Sequence, residues 1–133
     1  MIVLDSSAIL DGYFLPECWQ PLVSLIKTET ILVPQHFMTE CISGLRRIDR
    51  HQNLSDFEVE TFGFFLGQLP IIVVPALALM TSVWAKRHNM TAYDASYVAI
   101  AQSEDATLIT HDEKLATAAS NIVKTLRLDT AVA

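Results

Sequence analysis

The sequence is poor in the residues that staple or break a chain. Of its 133 residues, two are cysteine, four glycine and five proline. Two thiols, Cys18 and Cys41, exclude a disulfide framework and any zinc site built from paired cysteines. With no charged-apolar-small leader at the start, they point to a reducing, cytoplasmic setting. Basic residues are scarce as well: 9 Lys and Arg stand against 15 Asp and Glu, a formal charge of −6. A nucleic-acid partner therefore has to be held by a local basic patch or by bound metal, against the overall field. One stretch lacks charge altogether. Thr61 to Ala85 is 25 residues of uncharged chain, long enough to cross a bilayer. Gly63, Gly67, Gln68, Pro70 and Pro75 interrupt it, and its most apolar part, Ile71 to Val74, is a β-branched run of strand length. We read it as a helix end, a buried strand and the next helix, with no membrane span.

What is present is apolar. At 51% hydrophobic and 18% charged residues, the chain excludes disorder and suits one compact domain over residues 1–133. Short β-branched runs recur, each closed by a turn or cap residue: Ile2 to Leu4, Ile31 to Val33, Ile71 to Val74, Leu108-Ile109 and Ile122-Val123. Helical patterns fill the intervals, at Ser7–Tyr13, Cys18–Lys27 with Pro21 near its start, Gln35–Arg50, Leu77–His88 and Glu113–Ala119. Ser55-Asp56-Phe57-Glu58 and Thr91-Ala92-Tyr93-Asp94 read as capping boxes, opening helices to about Leu69 and Glu104. Apolar strands alternating with helices predict an α/β fold: a three-layer α/β/α sandwich around a mostly parallel sheet of about five strands.

In such sheets ligands bind beyond the carboxyl ends of the strands, and acids gather there. Asp5 follows the first run and Asp112 the fourth. Glu40 is expected about two turns into the helix after the second run, and Asp94 in the first turn of its helix. Singly, each reads as a cap or a solvated helix residue. Together, in largely uncharged surroundings, they do not. Two like charges about 4 Å apart repel by roughly 4 kcal/mol at an effective dielectric near 20, so converging carboxylates need a cation or bind protons. All-oxygen donors favour Mg²⁺ or Mn²⁺ over zinc.

These segments resemble the PIN domain family, and within it the VapC-type ribonuclease toxins of toxin–antitoxin pairs. Ile2-Val3-Leu4-Asp5-Ser6-Ser7 is similar to the family's opening strand, Asp, and Ser or Thr. Val33-Pro34 with Glu40 and Gly44-Leu45-Arg46-Arg47 resembles its second segment. Met90 to Ala101 and Leu108-Ile109-Thr110-His111-Asp112-Glu113 resemble the last two, while residues 51–75 carry no diagnostic motif. The resemblance implies metal-dependent hydrolysis of RNA leaving 5′-phosphate and 3′-hydroxyl ends. Asp5, Asp94 and Asp112 would hold Mg²⁺ or Mn²⁺, with Glu40 completing the site and Ser7 and Thr110 orienting water or a carboxylate. It also implies an antitoxin laid over apolar helices, and self-pairing into a homodimer.

Other features weigh less. Arg46, Arg47 and Arg50 end the helix of Glu40 and suit RNA contact as well as a helix C-terminus. Lys86, Arg87 and His88 form a second basic cluster. His36, four residues before Glu40, reads as a surface residue or a support to the site, Cys41 as a buried free thiol, and Glu113 as a first-turn residue. Two other function classes stand beside the nuclease: a PIN-like module that binds RNA or protein without cutting, and a phosphoacceptor receiver domain. The latter requires an Asp at the end of the central strand, where Val74-Pro75 is expected.

Overall fold

The computed structural model describes residues 1–131. Five strands, β1 (Ile2–Leu4), β2 (Ile31–Pro34), β3 (Ile71–Val74), β4 (Thr107–Ile109) and β5 (Thr125–Leu126), form one sheet in the order β3-β2-β1-β4-β5. Every neighbouring pair is parallel, with Val3 opposite both Leu32 and Leu108. Ile2, Val3 and Leu4 alternate faces, and all three are buried. Both faces of β1 are therefore covered, as a fully parallel sheet requires.

The helices are α1 (Ser6–Phe14), α2 (Pro16–Thr28), α3 (Phe37–Gln52), α4 (Asp56–Gln68), α5 (Met80–Ala85), α6 (Ala92–Ser103), α7 (Glu113–Ala119) and α8 (Leu128–Ala131). Helix α6 carries an unbroken buried run from Ala95 to Ala101 and packs across β1, β2 and β4. Helix α1 packs on α2 and α3. Gly44 of α3 permits that approach, because a Cβ there would lie 2.1 Å from Leu10 Cδ1. Among the described residues no helix is long and apolar enough to cross a membrane.

Several sequence expectations need correction. The fifth strand lies at Thr125–Leu126, whereas Ile122 and Val123 are consumed in a turn, both bonding back to the Ala119 carbonyl. The Ile71–Val74 strand forms, yet as the sheet edge it leaves Ile72 and Val73 exposed. Residues 77–88 are not one helix but a 3-10 turn at Ala76–Leu79, a short α5, and a further turn. Pro21 lies inside α2, since that helix begins at Pro16. Helix α3 begins at Phe37, which puts Glu40 in its first turn. Helix α8 had no counterpart in the sequence reading. Finally, the central strand is β1, which is followed by Asp5, so the lack of an Asp at Val74-Pro75 does not exclude a receiver domain. The order β3-β2-β1-β4-β5 excludes that class on firmer ground, because receivers follow the order 2-1-3-4-5.

Candidate active site

The strand order reverses direction at β1, between β2 and β4, and the crevice beyond the carboxyl ends there is where this architecture accepts ligands. Asp5 leaves β1 at that point, Thr110, His111 and Asp112 leave β4, Glu40 opens α3, and Asp94 opens α6.

Asp5 occupies the N-cap position of α1 but its side chain caps nothing. It is 5% exposed, and its Oδ2 accepts the hydroxyls of Ser7 at 2.6 Å and Thr110 at 2.8 Å. Those hydroxyls in turn accept the backbone N–H groups of His111 and Asp112, each at 3.0 Å. Since a backbone N–H can only donate and a carboxylate only accept, both hydroxyl protons point to Asp5. Ser7 and Thr110 thus fasten the first strand's acid to the loop after β4 through one carboxylate oxygen, Oδ2. His111 anchors that loop further: Leu128 N–H donates to its Nε2 at 3.0 Å, which makes Nδ1 the donor to Asp11 Oδ2 at 2.8 Å.

The other acids are tethered by one oxygen at most. Asp112 caps α7, its Oδ1 accepting Lys114 N–H and Leu115 N–H. Glu40 Oε1 accepts the Tyr97 hydroxyl at 2.7 Å, and His36 Nε2 lies 3.4 Å from the same oxygen without a hydrogen bond. Thr91 caps Asp94 N–H at 3.2 Å, but the expected capping box is only half made, whereas Ser55 and Glu58 complete theirs. Asp94 is left facing the site rather than its own helix end.

The electrostatics match the geometry. Burial raises the Asp5 carboxyl above its ordinary range; its two hydroxyl donors pull it down and Asp112 pushes it up. Asp94 is raised by burial, then by Asp112 and Asp5, with Lys114 opposing. Glu40 is raised by burial against the Tyr97 hydrogen bond, and by Asp5, Asp94 and Asp112. Asp5, Glu40 and Asp94 are each raised in part by a neighbouring acid, and no Lys or Arg pairs with Asp5, Glu40, Asp94 or Asp112 in an ion pair among the described residues. His36 offers no compensation, because burial lowers its pKa and keeps it neutral near pH 7. An all-oxygen set short of positive charge suits a hard divalent cation. Among the described residues, however, no three His, Cys, Asp or Glu side chains close on a single point. The acids converge without forming a finished cage.

Arg47 lines a cleft of about 300 Å³ together with Glu40, His36 and Tyr93. Arg46 and Arg50 are exposed elsewhere on α3. Tyr97 and Tyr93 escaped the sequence reading, although Tyr97, three residues after Asp94, shares its helical face. Cys41 is fully buried, which pushes its thiol up to about 12 and leaves no usable thiolate.

Comparison with known proteins agrees with this fold. The model of the PIN domain matches residues 2–121. VapC ribonuclease Mb0985 of Mycobacterium bovis is 33% identical over 120 residues, covering 86% of this chain and 88% of that protein. Ribonuclease VapC3 of Mycobacterium tuberculosis is 30% identical over 119 residues, covering 88% and 86%. Among solved structures, PAE2754 from Pyrobaculum aerophilum superposes with a TM-score of 0.66 at 19% identity, over 97% of this chain and 90% of that one. VapBC2 from Rickettsia felis, bound to a DNA fragment from its promoter, gives 0.65 at 19% identity, over 96% and 98%. With its carboxylates gathered at the switch point of a parallel sheet, the chain belongs to the PIN domain family, on its VapC branch.

Proposed function

We propose that this chain is the ribonuclease toxin of a toxin–antitoxin pair, hydrolysing RNA phosphodiester bonds at Asp5, Glu40, Asp94 and Asp112. The observation that carries the reading is the buried Asp5, clasped by Ser7 and Thr110 beside three further carboxylates, with no Lys or Arg paired to any of the four among the described residues.

Asp5, Asp94 and Asp112 would hold Mg²⁺ or Mn²⁺, with Glu40 completing the set. When bound, such an ion supplies a water of lowered pKa and positive charge for the scissile phosphate. The chain's own part is orientation. Ser7 and Thr110 fix Asp5, the first turn of α7 fixes Asp112 and Tyr97 fixes Glu40, so each presents its remaining oxygen without having to be ordered at the moment of reaction.

Partners follow from the surface. Phe57 and Phe64 stand exposed on α4, and Leu77, Met80 and Trp84 line an apolar cleft of about 600 Å³ beside β3. Patches of this kind mark protein interfaces, and they support both an antitoxin and a homodimer. A cytoplasmic location fits the two free buried thiols.

The decisive experiment is RNA cleavage by purified protein with and without EDTA, beside Asp94→Asn. Loss of cleavage in both arms, with 5′-phosphate ends in the active reaction, is expected. Cleavage surviving both sinks the metal-carboxylate site, and no cleavage under any condition favours a binding module instead.

A further inference from the structure

Resting on the reading of the carboxylates as an RNA-cutting centre, we propose that the cleft beside Glu40 binds the nucleotide next to the scissile phosphate, with Tyr93 stacking on its base and Arg47 contacting its phosphate. Tyr93 sits on α6 immediately before Asp94 and is 61% exposed. Its ring touches His36 edge-on, 5.1 Å between centroids at 85°. A large aromatic left open beside charged groups contributes little to the core, whereas every nucleobase offers a face to stack on it.

Arg47 has no ion-pair partner among the described residues. Nor is it spent on the helix dipole: α3 runs to Gln52, and Arg50 and His51 occupy its last turn. It lies instead on the cleft wall, where its planar guanidinium is free to engage two oxygens of a phosphate at once.

The rest of the lining suits a nucleotide rather than a peptide. Ser6, Thr39 and Ser43 contribute hydroxyls, and His36 contributes a buried Nε2 with no hydrogen-bond partner. No Leu, Ile, Val, Met or Phe lines the cleft, so an apolar antitoxin segment would find nothing to bury there. A volume of about 300 Å³ is at the small end of ligand sites, which fits one nucleotide and not a strand. Asp94 itself lines a second cleft, of about 380 Å³, which carries Arg87, His88 and Lys114 and no Phe, Tyr or Trp. The RNA is thus read as a base in the Tyr93 cleft and followed as a charged backbone in the second.

The test uses the Asp112→Asn protein with Mg²⁺, because Asn caps a helix as well as Asp does and the bound RNA should not be consumed. Binding of a fluorescein-labelled pool of random ten-nucleotide single-stranded RNAs is followed by anisotropy over a range of salt. Adding Tyr93→Ala should weaken binding about tenfold, and Tyr93→Phe by less than about twofold. Adding Arg47→Gln should lower the slope of log affinity against log salt by about 0.7. Against an RNA of abasic residues, the Tyr93→Ala penalty should vanish. Equal binding by the Tyr93→Ala protein, or a penalty that persists on abasic RNA, overturns the subsite while leaving the nuclease standing if the parent chain still cuts RNA. If the parent chain neither binds nor cuts RNA, both readings fall. If Tyr93→Ala instead weakens only the capture of an antitoxin peptide, the cleft is a protein site and the proposal is wrong.

Discussion

At the scale of single residues, the carboxylates leave a signature in stability as well as in activity. Asp5, Glu40 and Asp94 have folded-state pKa values above their ordinary 3.8 to 4.5. An acid shifted that way binds its proton more tightly in the folded state. Its contribution is therefore fully present below the ordinary value and is lost as pH rises through the raised one. In metal-free protein, the melting temperature of Asp5→Asn should exceed that of the parent near pH 7, and the gap should close as pH falls toward 4. A gap that widens on acidification contradicts the shift. The same variant should lose RNA cleavage by at least about a hundredfold, since it weakens the site in the transition state. Both thiols are buried and raised, so mass spectrometry should find Cys18 and Cys41 unalkylated by iodoacetamide until the chain unfolds. Asp5, Asp94 and Asp112 were legible in the sequence because each stands at a strand end or a helix start, whereas Glu40 was picked out from its uncharged surroundings and placed a turn too deep in its helix. His36 was legible as a support through its spacing to Glu40, whereas Tyr97 was not, because what it touches depends on how closely α3 and α6 approach.

At the scale of elements, two glycines in helices should respond oppositely to the same substitution. Gly44 faces Leu10 across the α1–α3 contact with no room for a Cβ, so Gly44→Ala should destabilise by about 1–3 kcal/mol through overpacking. Gly63 of α4 meets nothing within 4 Å. Gly63→Ala should therefore stabilise by about 0.5–1 kcal/mol by restricting the unfolded chain. Urea denaturation of both variants measures the contrast, and a shift of the same sign in each would refute the packing account. The element pattern itself was largely readable, since β1, β2, β3 and β4 are β-branched or leucine runs closed by a turn residue. The misses have local causes. The turn after α7 takes up Ile122 and Val123, and only then do the Lys124 and Leu126 carbonyls accept Leu108 N–H and Thr110 N–H to place β5. After Pro75, the bond from Ala78 N–H to the Pro75 carbonyl tightens the first turn to 3-10, which no apolar periodicity reveals.

At the scale of the whole molecule, the excess of acid looks different once placed. Four of the 15 acids lie at one crevice, and two bound divalent ions would bring the formal charge from −6 to −2. RNA binding should then depend on the cation more strongly than on overall charge, and anisotropy with and without Mg²⁺ measures this. The exposed Leu77 (80%) and Trp84 (65%) give self-association a separate test. Trp84→Lys should turn a dimer into a monomer in sedimentation velocity, and an unchanged dimer would move the interface elsewhere. The sheet order has a consequence in time. Leu4 pairs with Ile109 across the centre of the sheet, and Asp112 is synthesised 107 residues after Asp5, about 5–20 s later at ordinary elongation rates. Until Asp112 has emerged, a nascent chain therefore holds its first carboxylate in the middle of an unfinished sheet and lacks the acid that follows β4. The site is thus among the last features of the fold that synthesis can complete.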